Sequence, residues 1–273
     1  MRSTISFSSL RNSMARIVPV IIILIATGIL VFTSFAILMD HPTDFSTFHL
    51  MGTDQLGRDI FSATIIGVRV TLLVAILATL ISIGIGTMLG LLSGYYGGGT
   101  DTLIMRFTDI FFVIPAFVLM IIVASVIGSS LLIIMTVIGI FSWATTARIV
   151  RGQVLSIKER AYVERVRSVG GGDLYIIFRH ILPAVLPVIV AQTILLIINS
   201  IFFMISLNFV GIGDPAVISW GSMLFLAQNQ GAVSLNLSWL FVPPGLAVVI
   251  LIVGVALLGF SFDEVTNPRL RRR

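Results

Sequence analysis

Few side chains in this sequence can do chemistry, and they are gathered in one place. Of its 29 Asp, Glu, Lys and Arg residues, eight lie between Lys158 and Pro183, with long apolar runs on either side. Lys158 is the only lysine, and no Gly-x-x-x-x-Gly-Lys-Ser/Thr loop surrounds it, so the chain lacks that device for cradling phosphates. No Gly-x-Ser-x-Gly elbow, no His-Glu-x-x-His and no paired carboxylates set for acid–base work occur. The chain has no cysteine, which excludes disulfides, thiolate catalysis and Cys-ligated metals. His41 and His49, near Asp40 and Asp44, lack tight ligand spacing and read as solvated residues rather than a metal site. Gln192 and Asn199, seven apart in an apolar run, are candidates either for lining a polar path or for hydrogen bonds between helices.

The elements that must position these residues are membrane helices. The 273 residues are 57% hydrophobic and 11% charged, with a mean hydropathy of +1.11, whereas soluble domains carry about 25% charged residues. A net charge of +5 reads as a positive-inside bias rather than as a nucleic-acid partner. A span needs about 20 apolar residues. Ile17 to Met39 supplies one, read as retained rather than cleaved, and Val70 to Leu92 a second. The charge-free run from Ile110 to Ala147 suits two spans turning at Gly128-Ser129-Ser130. Ala184 to Ser206 and a segment within Leu240 to Phe260 make six. With the N-terminus inside, 15 of the 17 Lys and Arg residues fall on the inner side, and both termini are cytoplasmic. The expected organisation is an inner segment over 1–16, a membrane domain over 17–260 and a basic inner tail over 261–273. The outer segments are 40–69 and 207–239, with Trp220 and Trp239 as expected interfacial aromatics.

The polar stretch then starts on the inner side. Ser156 and Glu159 fit a capping box for a helix from about Ile157. Tyr162, Val166 and Val169 fall on one face, with Arg160, Glu164 and Arg167 roughly opposite. Gly170, Gly171 and Gly172 end that helix. Asp173 can cap a second, with Leu174, Ile177, Phe178 and Ile181 on one face, before Pro183. One reading is a basic helix resting on anionic lipid; the other is a docking device for a partner. Gly86, Gly90 and Gly94 recur every fourth residue and allow close helix approach, preferentially within the chain. Pro115 frees a backbone carbonyl inside the third span.

The spacing from Glu164 to Gly170 and on to His180-x-x-Pro183 resembles the signature of permease subunits of ABC importers, in the dipeptide/oligopeptide/nickel family. Arg165 and Val166 stand where two alanines are usual. Further resemblances are Gly-Thr-Asp-Gln-Leu-Gly-Arg-Asp at 52–59, Asp101 with Met105-Arg106 and Asp109, Trp143 with Arg148 and Arg151, the 207–213 stretch, Ser219-Trp220-Gly221, and Asn267-Pro268-Arg269-Leu270. Met204 stands where an acidic residue is usual, and Phe260 where an Asp is common. The resemblance implies an all-α, six-span permease whose segment 156–183 couples to a separate ATPase through Tyr162, Glu164, Arg167, Gly170, Gly171, His180 and Pro183. It implies a homologous permease, two inner ATPase subunits holding ATP and Mg, and an outer substrate-binding protein met by Asp54, Arg58, Asp59 and Trp220. No cofactor is expected on this chain, and no enzymatic activity. Asp54 to Gly57 is equally good chemistry for a plain turn. Small peptides lead as solute, with nickel, other chelated metal or oligosaccharides as alternatives. An ion-coupled transporter is the competing class, disfavoured because all twelve acidic residues lie outside the apolar cores; a membrane scaffold is a third.

Overall fold

A computed structural model describes residues 51–266, and the side chains through 259. The described residues are helical, linked by short turns. The long helix α1, Ile60–Tyr96, contains the expected Val70–Leu92 span. At about 1.5 Å per residue it is roughly 55 Å long, more than the hydrocarbon core requires. Asp59 starts it by accepting from Ser62 N at 2.7 Å, and Gly97, at φ 67°, ends it. Helix α2, Gly98–Val113, and α3, Ala116–Ile127, are bent by 84° at the break between them. The helix expected for the third span is therefore interrupted at Pro115. Pro115 has no N–H and forces Ile114 into extended backbone (φ −94°, ψ 127°), which no helix continues through. The turn at Gly128 to Ser130 lies where the sequence puts it, with Ser130 Oγ accepting from Ile133 N at the start of α4, Leu131–Lys158.

Helices α5, Ala161–Ser168, and α6, Asp173–Ile176, follow, then a π-turn over Ile177–Ile181 that runs into α7, Leu182–Phe209. Helix α8, Trp220–Asn229, and α9, Ser238–Thr266, complete the described chain. Four helical stretches are long and apolar enough to cross a membrane, and five if the bent α2–α3 pair is one span. The expected Ile17–Met39 span lies outside the described residues.

The glycine stripe holds α1 against α4. A Cβ at Gly86 would come within 2.6 Å of Thr146 Cβ; at Gly90, within 2.7 Å of Val150 Cβ; at Gly94, within 2.7 Å of Val154 Cβ. Gly139 returns the contact from α4, since a Cβ there would meet Ile81 at 2.7 Å. In lipid no hydrophobic force drives helices together, so such close van der Waals approach is the main attraction. Two buried clusters mark opposite ends of α1. Ile65, Val68, Ile201 and Trp220 pack at one end, and Leu91, Tyr95, Val154, Val163, Ile176 and Ile181 at the other. Exposed apolar side chains such as Leu80, Met88, Val126 and Leu132 cover the outer faces of the bundle, as lipid contact requires.

Candidate functional site

The 156–183 stretch is a folded unit, built differently from the sequence expectation at its start. Helix α4 runs through Ser156 to Lys158, so the Ser156–Glu159 capping box does not form. Arg160 takes extended backbone (ψ 141°) and α5 begins one residue later. The buried side chain of α5 is Val163, with Val166 half-buried; Tyr162 and Val169 are exposed. An eight-residue helix lying across the ends of α1 and α4 touches them along one short line. That line passes through Val163 and Val166, so it keeps Val166 of the expected face but not Tyr162 or Val169.

The stop is as expected. Gly171 N–H donates to Val166 O at 2.9 Å and Gly170 N–H to Arg167 O at 3.0 Å, a Schellman pair. Gly170 sits at φ 84°, where a side chain is strained although nothing crowds it. Gly171 is closed sterically: a Cβ there would meet Val166 Cγ1 at 2.6 Å and Val166 O at 2.9 Å. Asp173 does not cap α6; its Oδ1 accepts the Tyr95 hydroxyl at 2.7 Å. Ile176, Ile177 and Ile181 are buried, whereas Leu174 and Phe178 are exposed. The i→i+5 bonds of the π-turn alter the spacing between Ile177 and Ile181, around Phe178, while Leu174 lies ahead of that turn. His180 lies in that turn, its ring 5.4 Å from Tyr175 and 6.4 Å from Tyr162, with Nε2 buried and without a hydrogen-bond partner among the described residues. Pro183 is in the first turn of α7, where its missing N–H is tolerated. Glu164 and Arg167 are exposed on α5.

Ion pairs that no sequence spacing disclosed surround this unit. Arg151 makes a bidentate pair with Asp101, Nε to Oδ1 at 2.5 Å and Nη2 to Oδ2 at 2.6 Å, while Ser93 Oγ donates to the same carboxylate. Arg148 pairs with Asp109 at 2.8 Å and lies 3.9 Å over the Phe112 ring. Lys158 Nζ donates to Gly94 O at 2.9 Å. The Arg167 guanidinium lies 5.7 Å from the Tyr95 ring centre. The sequence offered signals only in part: the charges were visible, but partners 50 residues apart were not.

At the far end of α1, residues 51–59 form a closed turn. Asp54 Oδ1 accepts from Leu56 N and Arg58 N, and Oδ2 pairs with Arg58 Nε at 2.7 Å. Asp59 is the α1 cap. Asp54 and Arg58 line a cavity of about 240 Å³ with Asn208, Asp214 and Gln230. Trp220, expected at an exposed interface, is instead internal. It is 1% exposed, its Nε1 donates to Thr64 O at 2.7 Å, and its ring lies where a Cβ on Gly67 would be. It cannot serve as an exposed contact in this conformation. Trp239 is partly exposed beside Gly52. On α7, Gln192 is buried and Asn199 exposed, so the two do not share one environment. His41 and His49 lie outside the described residues.

Residues 86–272 match the family of binding-protein-dependent transport system inner membrane components. The chain belongs to that family. It is 38% identical over 227 residues to the glutathione transport system permease protein GsiD of Pectobacterium atrosepticum, covering 83% of this chain and 74% of the relative. It is 35% identical over 224 residues to the GsiD protein of Escherichia coli O6:K15:H31, covering 82% and 73%. A protein of Brucella suis biovar 1 that carries a peptide permease name is 33% identical over 222 residues, covering 81% and 73%. Among solved structures, an inward-facing MetNI methionine ABC transporter chain superposes with a TM-score of 0.62 at 19% identity, covering 76% of this chain and 98% of that one.

The chain is thus an ABC-importer permease, an all-α membrane protein and a transport subunit rather than an enzyme. The ion-coupled transporter and scaffold readings fall away. The matched region takes in α4, the 156–183 unit and α7, and leaves the 52–59 turn ahead of it. In this permease the departures from the usual pattern have plain surroundings. Arg165 is exposed, Val166 backs the glycine stop, and Met204 is packed in the core beside Leu207.

Proposed function

We propose that this permease forms one half of the solute path of a peptide importer, with segment 156–183 as its coupling element. A homologous permease supplies the other half. Two ATPase subunits on the inner side bind ATP and Mg, and a substrate-binding protein delivers the solute outside. In this reading both termini are inside, residues 17–39 are the first of six spans, 1–16 precede it and 261–273 are the basic tail. When ATP draws the ATPases together, they pull on the two coupling elements and the spans exchange inward for outward opening. Tyr162, Glu164, Arg167, Gly170, Gly171, His180 and Pro183 hold or present the docking surface. Asp54, Arg58 and Asp59 shape the outer turn that meets the binding protein, and Asn199 faces the path with Gln192 behind it.

One observation carries the coupling role. At the α5–α6 turn a rigid core of Val163, Ile176 and Ile181 holds Val169, Leu174, Tyr175 and Phe178 outward, interleaved with Arg165 and Arg179. Apolar groups fixed among charges suit a protein cleft better than open water. The glutathione and peptide names of the relatives support small peptides as the solute class. The test is purification of the permease with its partners from its native membrane, followed by mass spectrometry of the binding protein's ligand. An ATPase in stoichiometric amount and a bound di- or tripeptide are expected. Purification without any ATPase refutes the coupling role; a bound metal chelate or sugar refutes the peptide assignment.

A further inference from the structure

Three separate parts of the coupling unit converge on two residues, Gly94 and Tyr95, in the last turn of α1. Lys158, before α5, donates from Nζ to Gly94 O at 2.9 Å. Arg167, in the last turn of α5, places its guanidinium 5.7 Å from the Tyr95 ring centre. Asp173, the first residue of α6, accepts the Tyr95 hydroxyl at 2.7 Å. Two cations thereby stand at the negative end of the α1 dipole. Below them Tyr95 and Leu91 are buried in one cluster with Val163 of α5 and Ile176 of α6. Gly94 has no room for a side chain against Val154 and Arg151 O, so α1 and α4 are in close contact at this level. Tyr95 is 7% exposed, which leaves its hydroxyl as the polar tip of an otherwise packed ring.

We infer that Tyr95 and Asp173 are positioning residues that transmit movement of the coupling unit to α1. This rests on the coupling role proposed above. A pull on α5 and α6 is borne partly by backbone continuity into α4 and α7. Both α4 and α7 pack against α1, but α5 and α6 themselves are remote from it in sequence and meet it directly only through this packing and these polar contacts. The Tyr95–Asp173 bond is the directional one among them: a hydroxyl donating to a carboxylate has a preferred geometry, whereas apolar packing can slide. Docking of an ATPase on the exposed side chains does not use it, since Tyr95 faces inward.

The experiment uses the complete complex in proteoliposomes, with its binding protein and a mixture of glutathione, dipeptides and tripeptides as the probe. Peptide taken up per ATP hydrolysed is the readout, alongside the amount of ATPase retained. Tyr95→Phe and Asp173→Ala should retain the ATPase yet lower uptake per ATP by about three- to tenfold, the factor that one hydrogen bond of ordinary net strength carries. Asp173→Asn, which keeps an acceptor oxygen, should preserve most of the parent ratio. Gly170→Leu is measured in parallel. If it uncouples while Tyr95→Phe and Asp173→Ala keep the parent ratio, the inference is overturned and the coupling role stands. Loss of ATPase from either variant, or equal falls in uptake and hydrolysis, also overturns it. If Gly170→Leu leaves coupling at the parent value, the coupling role itself fails and the inference with it.

Discussion

Replacing Gly90 by alanine adds one methyl group in the middle of the α1–α4 seam, and its cost can be isolated by comparison with Gly84. Both glycines lie within α1, and alanine at either recovers about 1 kcal/mol of helix propensity. A Cβ at position 84 meets nothing within 4 Å. At position 90 it would lie 2.7 Å from Ala147 O and 2.7 Å from Val150 Cβ. Carbon atoms in contact sit about 3.5–4.0 Å apart, so one helix must move by about 1 Å. Neither neighbour is a flexible side-chain tip; one is backbone and the other a β-branched carbon in a helix. Overpacking of this kind costs about 1–3 kcal/mol, and parting the helices also loosens Gly86 against Thr146 and Gly94 against Val154. Gly90→Ala should therefore unfold about 1–3 kcal/mol more easily than Gly84→Ala. Denaturation in mixed micelles, followed by tryptophan fluorescence with the buried Trp143 as a reporter, gives both midpoints. Equal midpoints would refute the close seam.

Other expectations are shorter. Gly171→Ala should destabilise the α5–α6 turn more than Gly172→Ala, because a Cβ at 171 strikes Val166 and one at 172 strikes nothing; protease sensitivity of the turn in the purified complex would show the order. Trp220→Phe loses the bond to Thr64 O and part of a buried ring, a cost of about 1–3 kcal/mol, read as a lower unfolding midpoint; no change would mean that Trp220 is not internal. Asp101→Asn should cost more than Asp109→Asn, since the first breaks a half-buried bidentate pair and the second an exposed one worth under about 1 kcal/mol. Raising salt should erase the Asp109→Asn effect first.

How much of this was legible beforehand depended on range along the chain. Gly128 to Ser130 and Gly170 announced a turn and a stop, because glycine conformation and a serine cap are local chemistry. The glycine stripe announced a close seam, since its period matches the helix. Pro115 showed where a span would weaken, but a break of 84° depends on the packing of both halves. The faces of α5 and α6 depart from the sequence pattern for two local reasons. α4 runs on through Ser156, and the π-turn alters the spacing between Ile177 and Ile181. Trp220 reads as an interfacial residue in the sequence because hydropathy cannot see the Gly67 notch that admits its ring. The contacts of Tyr95 with Asp173, Lys158 with Gly94, and Asp101 with Arg151 span 50 to 78 residues, and only the folded chain brings them together.

The absence of cysteine from the chain makes the decisive measurement direct. A single cysteine at exposed Leu174 on α6, and another at exposed Leu56 in the 51–59 turn, can each carry a photo-cross-linker in native membranes. If segment 156–183 is the coupling element, the Leu174 probe captures an ATPase subunit and the Leu56 probe captures none. Capture of the ATPase from Leu56, or only lipid adducts from Leu174 in a complex that still contains the ATPase, would contradict it.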